Sequence, residues 1–229
     1  MSTEAVLARR DPALLAAYRA LTREPAEPAL SAVVRSFVRI AAYGTLGGID
    51  ETRLHKEIAT ALELGATEQQ IVDVLEIVSI SGIHTAAMAT PIMLELAREL
   101  GLPLPGAEAP EAAEVREEFI SRRGYWSPLW EAIAAFDPGF LKAYLDYSSI
   151  PVERATVDAP TRELIFVVIN SVTTHLNPGG VGIHIRNALN LGVTPGQLME
   201  VFRVLAPIGI ASCFAGFAAL DAATSVPSQ

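Results

Sequence analysis

The sequence predicts an all-α fold made by tandem duplication of one helical bundle, and three observations carry that prediction. Apolar residues recur at three- and four-residue steps, whereas alternating apolar–polar runs are scarce. Segments also recur at a nearly constant offset: "DPALLAAY" (11–18) returns as "DPGFLKAY" (137–144), "RSFV" (35–38) as "RELI" (162–165), and "SGIHTA" (81–86) as "IGIASC" (208–213). The longest such pair is "ALELGATEQQ" (61–70) and "ALNLGVTPGQ" (188–197). Finally, helix start and stop signals fall at matching places in the two copies.

The elements follow in order. Residues 1–100 form the first helical repeat, with a helix opening near Asp50 and stopping at Gly65. Thr67 with Gln70 makes a capping box, a side-chain oxygen and an amide each satisfying a free backbone N–H, and opens the next helix over 68–79. Residues 101–136 read as a linker, proline-rich at first ("GLPLPGAEAP"), then carrying Trp126 and Trp130 to seal the joint between repeats. Residues 137–229 form the second repeat. There Asn177 is an N-cap with Pro178 at the first helical position, and Gly192 is the stop. Thr194 with Gln197 repeats the capping box before a helix over 195–206. In each copy the two helices joined through Leu-Gly-x-Thr form a hairpin whose second member is apolar enough to be largely buried.

Composition narrows the function classes. With 51% apolar residues the chain is expected to be folded rather than disordered, and its 229 residues suffice to bury a substantial core. The net charge of −9, without a basic cluster beyond Arg122-Arg123, argues against nucleic-acid and anionic-membrane partners. No uninterrupted apolar run of the ~18–20 residues a membrane span needs is read in the sequence, and none of the signal-peptide type at the N-terminus. One cysteine, Cys213, excludes an intrachain disulfide. A cytoplasmic location is expected.

"TRELIFVVINSV", followed by "HIRNALNLGVTPGQLMEVF", resembles the carboxymuconolactone decarboxylase family, whose fold is shared with alkyl-hydroperoxidase-D type proteins. The pattern is an Arg-Glu-Leu helix start, then a histidine, then an Ala-Leu-x-x-Gly-x-Thr-x-x-Gln segment; repeat one matches it from Arg35 to about Leu96. The resemblance implies a carboxymuconolactone-decarboxylase-like bundle in each repeat. It also implies one of several chemistries, since the family holds lactone decarboxylases and thiol peroxidases. In the redox members the helix carries Cys-x-x-Cys-x-x-x-His. Here the two thiol positions before His184 are Asn177 and Gly180, and in repeat one Asp50 and Arg53 precede Glu57. Without a thiolate no peroxide can be attacked and no disulfide cycled, so thiol peroxidase activity is disfavoured. Cys213 aligns with Ala86 and reads as a small buried apolar residue.

The non-redox members keep the histidine, which makes His184 the candidate proton carrier. Losing carbon dioxide from a carboxylate conjugated to a carbonyl leaves a dienolate that needs charge stabilisation and a proton at one carbon. Glu163 in the preceding helix is the expected partner that orients the ring, and His175 lies in a turn within reach. Each repeat holds polar groups the other lacks: Glu76 and His84 in one, Glu163, His175 and His184 in the other. One pocket composed from both repeats is therefore expected, with repeat two acting alone as the alternative. Arg186, Glu76 and Trp126 are the candidate substrate-binding groups, although Arg186 lies about 200° around the helix from His184. His55 is expected to be exposed. Each of these residues also has a structural reading, as a packed ring, a helix-dipole carboxylate or a surface charge.

The reading is a cofactor-free decarboxylase or isomerase acting on a small unsaturated or lactone carboxylic acid. Two alternatives stay open: a metal-binding protein using His84, His175 and His184 with Glu76 or Glu163, and a non-catalytic assembly module. The metal reading lacks a close His-x-x-x-His pair. No metal or organic cofactor is expected. Closed association of helix faces makes a homotrimer the expected assembly, with a dimer next.

Overall fold

In the computed structural model, which describes residues 3–45, 47–104 and 110–224, thirteen α-helices and three short 3-10 turns are formed, with no strand among those residues. The helices are α1 Thr3–Arg10, α2 Pro12–Leu21, α3 Ala32–Gly44, α4 Glu51–Glu63, α5 Glu68–Ser79 and α6 Ile83–Glu99. After these come α7 Pro110–Arg123, α8 Glu131–Phe136, α9 Pro138–Arg154 and α10 Ala159–Ser171. The last three are α11 Pro178–Asn190, α12 Pro195–Leu205 and α13 Ile210–Thr224.

The offset read in the sequence carries helix onto helix: α3 falls on α10, α4 on α11, α5 on α12 and α6 on α13. The caps recur with them. Thr67 and Thr194 accept from the backbone N–H of Gln70 and Gln197, and both glutamines return the bond. Gly65 and Gly192 close α4 and α11 at φ +91° and +88°, a conformation any Cβ would strain.

The largest core is formed where the halves meet. Helix α10 is buried from Leu164 through Asn170, because α3, α5, α11 and α12 surround it. A helix buried on every side must be apolar all round, and its sequence "LIFVVI" is. Two carboxylates tie the halves together at corresponding positions. Glu200 of α12 accepts from the backbone N–H of Ala29 (2.7 Å) and Leu30 (3.1 Å), and from Arg35 (3.3 Å). Its counterpart Asp73 of α5, fully buried, accepts from Arg154 and from the Thr156 hydroxyl.

The stretch 101–136 is more than a linker. Helix α7 places Ala112, Val115 and Phe119 on one face, and these pack with Trp130, Ile133, Leu141 and Leu145 into a second core. That face is hard to see in the sequence because glutamates and arginines surround its three apolar positions. Trp130 is buried there as expected of a joint residue. Near the N-terminus, α1 and α2 pack on α13 through Leu7, Leu15 and Phe214, and Arg9 and Arg10 pair with Asp221. Residues 1–100 are thus braced by the second repeat.

Two continuous helical runs, Glu68–Glu99 and Pro195–Thr224, are long and apolar enough to cross a membrane by length and composition. The sequence reading found no such run; the 3-10 turns at 80–82 and 206–209 join α5 to α6 and α12 to α13 without a break. Half of the most apolar window of the first run is buried inside the fold, as in core helices, whereas little of that of the second is.

Candidate functional site

Glu163, Phe166 and Asn170 stand at i, i+3 and i+7 on α10, and so share the face turned toward α11. Asn177 caps α11 by accepting from Gly180 N (3.2 Å), and His184 follows two turns later. The packing of α10 on α11 brings His184 Nδ1 to 2.8 Å from Glu163 Oε2, with side chains 12% and 15% exposed. The imidazole also stacks on Phe166, with ring centroids 4.5 Å apart and planes 15° apart. A carboxylate at Nδ1 fixes the tautomer and leaves Nε2 outside that bond.

His84, on α6 of the first repeat, meets His175 in the turn before α11: Nδ1 to Nε2 is 2.6 Å and the rings are nearly parallel, 4.7 Å apart. Burial pushes the His84 imidazole down to about 4, and the neighbouring His175 and His184 push it the same way. His84 therefore stays neutral at physiological pH, one ring of the pair donating and the other accepting. The three histidines and Glu163 expected from the sequence are brought together, from both repeats.

A residue that sequence reasoning missed completes the cluster. Arg123, at the end of α7, lies 5.9 Å over the Phe166 ring and reaches Ser148 Oγ at 3.4 Å. Its Nε is buried without an acceptor among the described residues. Burial raises the Tyr125 hydroxyl, and Arg123 and Glu163 act on it with opposite sign, so both charges lie close by. Tyr144 is likewise raised by burial, and is eased by Arg123 and by hydrogen bonds to Ser148 and Arg123. Arg123 falls outside the repeated segments, so no offset points to it. The one available signal was the Arg122-Arg123 pair itself. Phe166, also missed, was legible as the residue one turn after Glu163.

The thiol positions of the redox members are structurally occupied. Asn177 is a cap, and its Nδ2 donates to Asn170 Oδ1 at 2.8 Å. A Cβ at Gly180 would collide with that same Asn170 oxygen. Cys213, expected to be buried, is a half-buried free thiol on α13, because that helix is exposed over much of its length.

Three expected substrate-binding residues lie elsewhere. Glu76 pairs with Arg154 (2.9 Å), beside the Asp73 tie. Arg186 is exposed on the far side of α11, as its angular position requires. Trp126 packs edge-on to Phe119, donates to Glu131 (2.8 Å), and borders a cavity of about 660 Å³ between α6, α7 and α8. Glu76 is held by a long-range partner, Trp126 by its neighbours in the second core, and Arg186 faces solvent. Among the described residues no group of three or more His, Cys, Asp or Glu is disposed to hold a metal ion. A smaller cavity, of about 240 Å³, lies beside Glu57 of repeat one, the counterpart of His184, and is walled on its other side by α12. His55 is exposed on α4, as expected.

A sequence profile of the carboxymuconolactone decarboxylase family matches residues 138–224. The crystal structure of a provisionally assigned gamma-carboxymuconolactone decarboxylase subunit from Burkholderia xenovorans LB400 is similar throughout: 32% identity over 98% of this chain and 91% of that one, with a TM-score of 0.89. No curated protein matches the sequence significantly.

Proposed function

We propose, from the premise that the chain belongs to the carboxymuconolactone decarboxylase family, that it decarboxylates a small unsaturated or lactone carboxylic acid by proton transfer through His184. The observation that carries this reading is the His184–Glu163 pair, mostly buried, with the imidazole stacked on Phe166.

The bond between the carboxylate carbon and the substrate skeleton breaks, and its electron pair passes into the conjugated carbonyl as CO2 departs. The imidazolium of His184 then delivers a proton from Nε2 to carbon, and solvent restores it. The reaction is redox-neutral and needs no electron or hydride carrier. Glu163 holds the ring and balances its charge in the protonated form. Arg123 supplies a fork for a second carboxylate or the lactone oxygen, worth most where water is excluded. Neutral His84, through its bond with His175, presents an N–H to the developing enolate oxygen.

The neighbouring structure's assignment makes γ-carboxymuconolactone the first compound to try. Purified protein is expected to release CO2 from it and form an unsaturated lactone. An unconsumed substrate, under conditions where the protein is folded, contradicts this substrate assignment.

A further inference from the structure

The cavity in repeat one occupies the place in α3 and α4 that the His184 cluster occupies in α10 and α11, but its chemistry is different. Ser36 stands for Glu163, Arg39 for Phe166, Arg53 for Gly180 and Glu57 for His184. Ser36 Oγ donates to Glu57 Oε1 at 2.7 Å, and Arg39 lies 3.6 Å from the same oxygen, so this carboxylate is already compensated. Arg35 and Arg39 both reach Glu24, at 3.5 and 2.9 Å, and Arg35 reaches Glu200.

Cations remain in excess. Arg53 sits with its guanidinium 4.8 Å over Phe214 and 5.6 Å over Tyr43, and its Nη2 is buried with no protein acceptor. Among the described residues its one ion-pair partner is Asp50, 3.4 Å from Nε. Arg203 and Arg23 stand at the rim, both exposed, the first donating to the Arg23 carbonyl at 3.4 Å. The walls thus carry five guanidinium groups against the carboxylates of Glu24, Glu57 and Glu200, with Asp50 behind Arg53 as a fourth, so positive charge is still left over. Apart from Thr22, the remaining lining is apolar or aromatic, with Tyr18, Tyr43 and Ile208 among it.

We infer that this cavity is a second binding site, for a small dicarboxylate with an apolar body, and that it binds without turnover. Guanidinium forks match carboxylates in shape and charge, and the excess of positive lining suits a dianion rather than a neutral molecule. Tyr18, Tyr43 and Ile208 cover a carbon skeleton. The position of the proton-carrying imidazole is filled by a carboxylate already bonded to Ser36, so the site holds its ligand as an effector or reservoir. The binding stands independently of the His184 reading; the absence of turnover rests on it.

Adipate is the probe, with hexane-1,6-diol as its uncharged counterpart, measured by isothermal titration on the full chain. Adipate held by two forks is expected to bind at or below about 1 mM, and the diol not to bind. Binding is expected to persist in His184→Gln and Arg123→Gln and to weaken at least about tenfold in Arg53→Gln with the circular dichroism unchanged. Should Arg53→Gln fail to fold, the exposed Arg203→Gln decides, with a loss of about threefold expected. No adipate binding at about 10 mM overturns the inference. So does binding that survives both cavity variants, or that Arg123→Gln abolishes.

Discussion

His184 Nδ1 and Glu163 Oε2 lie 2.8 Å apart, and one repeat earlier Ser36 Oγ and Glu57 Oε1 lie 2.7 Å apart at the corresponding positions. The same inter-helix contact is kept as a hydrogen bond in both halves, while the residue types are exchanged. In repeat two the bond orients an imidazole, and in repeat one it quiets a carboxylate.

His84 makes stability depend on pH. An unfolded histidine takes a proton near pH 6.5, whereas folded His84 resists until about 4, chiefly because of burial. Stability is therefore lost as the pH falls through the window from 6.5 to 4, and the loss levels off below it. The loss attributable to His84 is expected at between about 1 and 3 kcal/mol, allowing for solvent screening of a partly exposed ring. Urea unfolding across that window is expected to show a shallower decline in His84→Gln. Equal slopes for variant and wild type contradict the assignment.

The composite site predicts a kinetic cost for the same substitution. His84→Gln is expected to lower kcat/KM at least about tenfold on any substrate the protein turns over, by loss of an oxyanion donor. Wild-type kinetics would leave repeat one as a scaffold for a site held by repeat two alone.

Arg123→Gln is expected to raise KM by about tenfold or more with a smaller change in kcat, since a fork that holds a substrate carboxylate binds ground and transition states alike. A pure kcat effect with unchanged KM points instead to a role in ordering Tyr144 and Phe166.

The duplicated bundle was legible in the sequence because caps and stops are local. Thr67 with Gln70 and Thr194 with Gln197 announce their helices without reference to anything distant. The Glu163–His184 pair was legible because the offset and the family pattern both single out those positions. Arg123 was not, since it belongs to neither repeat and reaches Phe166 only through the packing of α7 on α9. Glu76 and Trp126 lie apart from the cluster for the same reason: a polar or aromatic side chain shows its chemistry in the sequence, but not the Arg154 or Phe119 that engages it; the outward position of Arg186 was already legible in its angle from His184.

The absence of a thiol at either motif position predicts no peroxidase turnover above background with an organic hydroperoxide and a thiol reductant. Cys213→Ser is expected to leave activity unchanged. A large loss in the folded variant revives a redox role.

We further propose a homotrimer, with a dimer next. Helix α13 leaves most of its apolar surface uncovered by its own chain, and a closed assembly is the ordinary way to cover it. Light scattering that returns a monomer at micromolar concentration contradicts this proposal.

The most direct test of the account is the turnover of His184→Gln against wild type on γ-carboxymuconolactone, followed by CO2 release. With folding intact by circular dichroism, kcat is expected to fall by roughly two to four orders of magnitude, the usual contribution of a positioned general acid–base group. A variant that retains kcat within about threefold of wild type would show that His184 carries no proton in the reaction, and the site would have to be sought elsewhere in the fold.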